Sequence, residues 1–343
     1  MSSISVADLP HAAELAPRFA RREPFRHLVI DDFLPRPFAD ALLAQFPDFA
    51  RGNARNETGE SGGKSVVERI RELGPAYVAL DDLIQTRGFL DWLSAATGIP
   101  DLLYDPWYFG GGTHDNRHGQ DLDPHVDFNR HPENGWHRRL NLIVYLNHEW
   151  EDAWGGSLEL HTDPRTANDV VTLVTPLFNR CVVFETTEWS WHGFSRIDLP
   201  ADRRDLSRRS VALYFYTRQR PEEELAPTHS TIYVDRPLPA HLRAGHTLTE
   251  DDMAALHTLL TRRDMHNQRL YEEVKQLQAR LGTPGEGHLR RLANGLREIA
   301  RQRRVDGLSA AGVKAAMLPF VHHLPALLRN PARRLWRALN TRG

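Results

Sequence analysis

Residues 123–150, DPHVDFNRHPENGWHRRLNLIVYLNHEW, set four histidines (His125, His131, His137 and His148) among acidic side chains and around an apolar run. Imidazole beside carboxylate is the donor chemistry of a transition-metal site, but four such histidines cannot all serve one ion. Two His-x-Asp pairs occur in the chain, His125-Val-Asp127 and His161-Thr-Asp163, and His131-Pro-Glu133 is a carboxylate variant. On an extended segment residues two apart share a face. Such a pair, joined by a second histidine from a distant strand, makes the two-histidine, one-carboxylate set suited to Fe(II), with coordination positions left open. Context favours the first pair. His161 runs into the turn composition TDPRT and His131 sits in the polar NRHPENG, whereas His125 precedes Phe128 and an apolar strand. The distal histidine is best placed at His192, in TTEWSWHGFS between apolar walls; a buried structural histidine is the competing reading.

A third element adds a second kind of chemistry. SRRSVALYFYT (207–217) puts Arg208 and Ser210 on one strand face. An arginine directed into an apolar core requires an anionic partner, because an unpaired buried charge is costly. Guanidinium clamps a carboxylate with two parallel hydrogen bonds, and Tyr145 in LIVYLN could add a phenol donor. The competing arrangement turns Arg208 outward.

With His125-Val-Asp127, His192 and Arg208-x-Ser210 in that order, the sequence resembles the prolyl 4-hydroxylase-like branch of the 2-oxoglutarate/Fe(II)-dependent dioxygenases. YLN (145–147), WGGSLEL (154–160) and the opening PFRHLVIDDFLP are similar to that branch, and the likeness covers roughly residues 24–220. The resemblance implies a double-stranded β-helix (jelly-roll, cupin-like) holding Fe(II) on His125, Asp127 and His192. It implies that the far carboxylate of 2-oxoglutarate meets Arg208, Ser210 and Tyr145. The activity implied couples oxidative decarboxylation of 2-oxoglutarate, by O2, to hydroxylation of an unactivated C–H bond, with ascorbate as a candidate additional reductant. Halogenating relatives lack the carboxylate that Asp127 supplies. The substrate class implied is a peptidyl or free amino acid, with a glycan or another small molecule open. A cupin-like isomerase or hydrolase, and a binding protein acting through a basic tail, are the competing functions.

The elements that must position these residues read as mainly β with flanking helices and a C-terminal helical extension. LNLIVYLN, SLELH, VVTLVTP, RCVVFE and RRSVALYFYT are short strands with no helix between them, which argues for an all-β sandwich or barrel. A strand, a turn at Pro35 and a helix with Phe38, Leu42 and Phe46 on one face precede them, followed by a helical pair within 75–97. The polar stretches 51–65 and 112–122 read as loops that could close over the site, and Trp107, Tyr108 and Asn141 as candidates for its substrate side. The expected organisation is an arm (1–23), a catalytic domain (24–239), a long amphipathic helix (240–281) and a basic helical tail (282–343).

Met253, Leu256, Leu260, Leu270, Val274, Leu277 and Leu281 form a coiled-coil-like stripe, a surface for packing on the same domain or for homo-oligomers. Residues 281–343 hold twelve basic against three acidic side chains, a net +9 in a chain of net −2, so the tail offers itself to an anionic membrane surface or nucleic acid. One cysteine, Cys181, excludes an intrachain disulfide. The N-terminal MSSISVADLPHAAEL lacks the apolar stretch of a secretory signal, and no run reaches the roughly 20 apolar residues of a membrane span. The expected location is cytoplasmic.

Overall fold

The computed structural model describes residues 4–20, 23–55, 61–239 and 241–281. The basic tail expected over 282–343 lies outside the described residues. The apolar run at 140–146 belongs to β7 (His137–Tyr145), and its continuity has a simple cause: both of its faces are covered. Leu140, Leu142 and Val144 point into one core with Val183, Val211, Leu213 and Phe215. Tyr145 points into another with Val182, Phe184, Leu158 and Leu160.

The first core lies under four helices, α1 (Ala12–Phe19), α2 (Arg36–Ala44), α3 (Pro75–Ile84) and α4 (Arg87–Thr97). The expected N-terminal arm thus contains α1, which buries Leu15 and Phe19. Local chemistry sets the ends of α4. The Thr86 hydroxyl accepts from the Phe89 N–H at 3.2 Å, and Gly98 closes the helix at φ 71°.

The larger sheet contains β1 (His27–Ile30), β2 (Asn53–Arg55), β3 (Ser61–Val67), β4 (Leu103–Tyr104), β5 (Gly112–Asn116), β7, β10 (Cys181–Glu185) and β12 (Arg208–Thr217). Its order is β1-β10-β7-β12-β5-β3-β2, with β4 also on β12. The smaller sheet contains β6 (Leu122–Val126), β8 (Leu158–His161), β9 (Val171–Val174), β11 (Trp191–Phe194) and β13 (Ile232–Tyr233), in the order β13-β6-β11-β8-β9. All pairings are antiparallel. Side chains of both sheets share the second core.

Two segments expected as loops are strands. Residues 51–65 include β2 and most of β3, and 112–122 begins with β5. Their glycines serve close backbone approach: a Cβ on Gly112 would stand 2.1 Å from the Val67 carbonyl oxygen, and its φ is +88°.

The chain divides into two units after Arg262. The long helix α5 (Glu250–Leu281) begins ten residues later than the expected boundary at 240, after a turn-rich segment. Its first three turns are held within the first unit by Arg262, which donates to the Asp121 carboxylate at 2.9 Å. Met253, Leu260, Leu270, Val274 and Leu277 of the apolar stripe are exposed. No helix among the described residues is long and apolar enough to cross a membrane.

Candidate metal centre

His125 lies on β6 and His192 on the adjacent β11, directly opposite one another in the ladder. The shared register puts both imidazoles on the same face, with ring centroids 4.3 Å apart. Asp127 follows the end of β6, two residues from His125 and so on the same side. Its Oδ1 is 3.8 Å from His125 Nε2 and its Oδ2 3.5 Å from His192 Nε2. One donor atom from each of the three lies within 4.8 Å of the others, and all three side chains are buried.

The other face of each imidazole is already committed. His125 Nδ1–H donates to the Asp123 carbonyl and His192 Nδ1–H to the Ser190 carbonyl, each at 2.9 Å. That fixes the tautomers and leaves both Nε2 lone pairs toward Asp127. Phe184 and Tyr233 cover the rings, with centroids 4.7 Å from His192 and 5.1 Å from His125.

The protonation states suit a cation. Burial pushes both histidines below their ordinary value, His192 to about 3 with His125 adding to the effect. Burial alone would raise Asp127, but Arg138, His192, His125 and the Asn141 hydrogen bond outweigh it and hold the carboxyl well below its usual range. Neutral imidazoles and an ionised carboxylate are the states that bind metal.

Arg138 was not visible in the sequence pattern. It is 1% exposed, its NH2 group lies 3.2 Å from Asp127 Oδ2, and its guanidinium stacks 3.6 Å from the Tyr214 ring. It also donates to Asn141 Oδ1 at 2.8 and 3.0 Å, while Asn141 Nδ2 donates to Asp127 Oδ2 at 2.7 Å. Residues three apart on a regular strand face opposite ways. Here the register slips between Phe215 and Tyr216 of β12, so that Leu140 and Arg138 face consecutive residues, and the bulge turns Arg138 inward beside Asn141.

Arg208 is buried at 5% exposure on β12. Its Nε donates to the Gly156 carbonyl at 2.6 Å and its NH2 group to the Tyr145 hydroxyl at 3.0 Å. Ser210 is also buried and pairs in register with Tyr145 on one side and His114 on the other, which sets all of them on the inner face. Among the described residues no carboxylate pairs with Arg208. Burial lowers its pKa from the ordinary guanidinium value, with Tyr145 opposing. Arg209 takes the opposite face, over the Phe46 ring, with its Nε on Ser207 Oγ at 3.2 Å.

The remaining candidates lie elsewhere. His161 pairs in register with Trp191, not His192, so it faces the other side of the smaller sheet, where its Nδ1 contacts Asp169 at 2.6 Å. Asp163 binds Arg165. His131, in a segment of turn composition, is nonetheless buried, 3.4 Å from Asp105 and packed against Trp107, Trp136 and Tyr216. His148 stacks on Phe178 at 3.9 Å, and His137 starts β7 opposite Thr217. Tyr108 turns its hydroxyl onto Asp81 at 2.7 Å in the helical core, while Trp107 is half exposed.

Comparison with known proteins gives the class. Residues 112–216 match the family model of the 2OG-Fe(II) oxygenase superfamily. No curated protein matches the chain. Among solved structures, a prolyl 4-hydroxylase of Phytophthora capsici is 20% identical over 73% of this chain and 71% of its own, with a TM-score of 0.42. A Pseudomonas putida prolyl-4-hydroxylase is 19% identical over 64% of this chain and 98% of its own, at a TM-score of 0.37. HygX of Streptomyces hygroscopicus, solved with nickel and 2-oxoglutarate bound, is 10% identical over 60% and 91%, at 0.38. The protein therefore carries a 2OG-Fe(II) oxygenase domain and is an oxidoreductase of the dioxygenase type. That superfamily implies Fe(II) and 2-oxoglutarate, with O2 as cosubstrate. The donor set here fits Fe(II): two neutral imidazoles and one carboxylate, preset by backbone carbonyls, Asn141 and Arg138.

Proposed function

We propose that this protein is a hydroxylase that oxidises an unactivated C–H bond of a peptidyl or free amino acid, at the expense of 2-oxoglutarate and O2. His125 Nε2, Asp127 and His192 Nε2 would hold Fe(II), and the two packed sheets would form a double-stranded β-helix around it. Bound there, the iron supplies the redox chemistry that splits 2-oxoglutarate into succinate and CO2 and oxidises the substrate. The chain's own residues do the rest. Arg208 holds the far carboxylate of 2-oxoglutarate, with Ser210 and Tyr145 donating hydroxyl hydrogen bonds. Arg138 and Asn141 keep Asp127 ionised and oriented, and Phe184 and Tyr233 keep water from the histidine rings.

One observation carries this reading: Arg208, buried on the same inner surface as the metal-binding triplet, has no carboxylate partner among the described residues. A buried guanidinium left so is costly, and a dicarboxylate cosubstrate supplies the missing charge. A metal-dependent isomerase or hydrolase on the same ligands has no use for it. The test is anaerobic loading of the full chain with Fe(II) and 2-oxoglutarate, ascorbate included, then O2 and a screen of amino acids and peptides. Succinate and CO2 release with a product one oxygen heavier supports the proposal. Metal binding without any 2-oxoglutarate consumption contradicts it.

A further inference from the structure

A second group of two imidazoles and a carboxylate stands apart from the first. His241 and His246, in the segment that leads into α5, and Asp252, in the first turn of that helix, each offer a donor atom within 4.8 Å of the other two. His241 Nε2 lies 2.7 Å from Asp252 Oδ1 and His246 Nε2 2.8 Å from Asp252 Oδ2. The backbone is shaped for this meeting. The His246 N–H donates to the Arg243 carbonyl at 3.0 Å, closing a tight turn, and Gly245 stands at φ +86° in its third position. A left-handed residue there is what such a turn requires, and glycine adopts it without strain. The reversal brings His246 back beside His241, with ring centroids 5.4 Å apart.

Helix capping explains only half of the group. The Thr249 hydroxyl accepts from the Asp252 N–H at 3.2 Å, and Asp252 Oδ2 accepts from the Thr249 N–H at 2.9 Å. That reciprocal pair completes the N-terminus of α5 with no histidine. The two histidines converge on the same carboxylate from outside it. No apolar packing explains their position either, since Leu238 and Leu248, which flank the turn, are both exposed.

We propose that His241, His246 and Asp252 form a second metal site, which takes a borderline divalent transition-metal ion, Zn2+ foremost. Two imidazole nitrogens and one carboxylate oxygen suit Zn2+ and its neighbours and not Ca2+ or Mg2+, which take oxygen donors. Ligands about 2.0–2.2 Å from a tetrahedral ion stand roughly 3.4 Å apart. The present 2.7 and 2.8 Å contacts reach that by a small opening in which the ion replaces the Nε2 protons. His241 is more than half exposed, so water completes the shell and ions exchange freely. Its role is to fasten the turn 241–249 to the first turn of α5.

The experiment uses the full chain stripped of metal, with Zn2+ alone as the probe. Equilibrium dialysis should show one fewer bound Zn2+ in the His241→Gln/His246→Gln variant than in the wild type, the triplet at His125 being untouched. Arg243 lies exposed between the two histidines, so trypsin cleavage after it reports the turn directly. Zn2+ should slow that cleavage at least tenfold in the wild type, with no slowing by Mg2+ and none in the double variant. A control peptide monitors the protease. Equal zinc content in the two proteins overturns the proposal. So does wild-type cleavage at Arg243 that zinc leaves unchanged, a result that stands even if the variant does not fold.

Discussion

The two triplets have the same composition and opposite surroundings. At His125, Asp127 and His192 the side chains are 7%, 8% and 7% exposed, and the two histidines come from neighbouring strands of the smaller sheet. At His241, His246 and Asp252 they are 58%, 29% and 9% exposed, and one turn with the start of a helix supplies them all. The difference teaches what burial adds. In the sheet, desolvation keeps the imidazoles neutral while Arg138 and Asn141 keep the carboxylate charged, so the site is poised before any ion arrives. The surface group depends on local geometry alone and can relax around whatever it binds.

The largest effects should fall on the buried triplet. Asp127→Ala removes the only carboxylate of the triplet and the charge that Arg138 faces at 3.2 Å, and it should abolish succinate formation. Metal content after dialysis should fall by more than the roughly 10–100-fold cost of losing an outer partner. Retention of iron by this variant would break the contrast between the triplets. Arg138→Ala and Asn141→Ala come next, each weakening iron binding within about 10–100-fold, measured by competition with a chelator. At the surface group the outer partner of the carboxylate is the Thr249 backbone N–H, 2.9 Å from Asp252 Oδ2, which no side-chain substitution removes.

The smallest effect separates ligand from structural histidine. His161, the rival from the second His-x-Asp pair, has its pKa raised above the ordinary 6.5, because Glu159 and Asp169 outweigh its burial. A raised folded-state pKa stabilises the fold fully below the unfolded value near 6.5, and the contribution is lost as pH climbs through the folded value. Thermal unfolding should therefore show a modest decline in stability above about pH 6.5, which His161→Gln removes while iron binding persists. Loss of iron in that variant would return His161 to the metal site.

Much of this organisation could be read from residue order alone. The strand expected at 208–217 is β12 from end to end, and the alternation of faces along any strand separates Arg208 from Arg209. The helical pair at 75–97 follows from periodicity and the pairing of His125 with Asp127 from two-residue spacing, whereas His192 is marked in the sequence only by its tryptophan neighbours. What escaped has physical reasons. Arg138 turns inward only because of a bulge, and a bulge is a property of a strand pair that neither strand announces. His131 is buried in spite of turn composition because tertiary contacts with Trp107, Trp136 and Tyr216 cover it. Residues 51–55, 61–65 and 112–116 read as loops since glycine needed for close strand approach looks the same as glycine in a turn. His241 and His246 meet through a tight turn, which leaves no period to detect.

The central claim rests on Arg208, and one titration tests it most directly. The 2-oxoglutarate concentration that supports half-maximal succinate release is measured for wild type, Arg208→Ala, Arg208→Lys and Arg209→Ala, with iron content determined in each. Arg208→Ala should lose on the order of 2–5 kcal/mol of 2-oxoglutarate binding with iron unchanged. Arg208→Lys should recover part of it, because an ammonium makes no two-pronged contact, and Arg209→Ala should behave as wild type. An unchanged 2-oxoglutarate requirement in Arg208→Ala, or a greater loss at Arg209, would contradict the account.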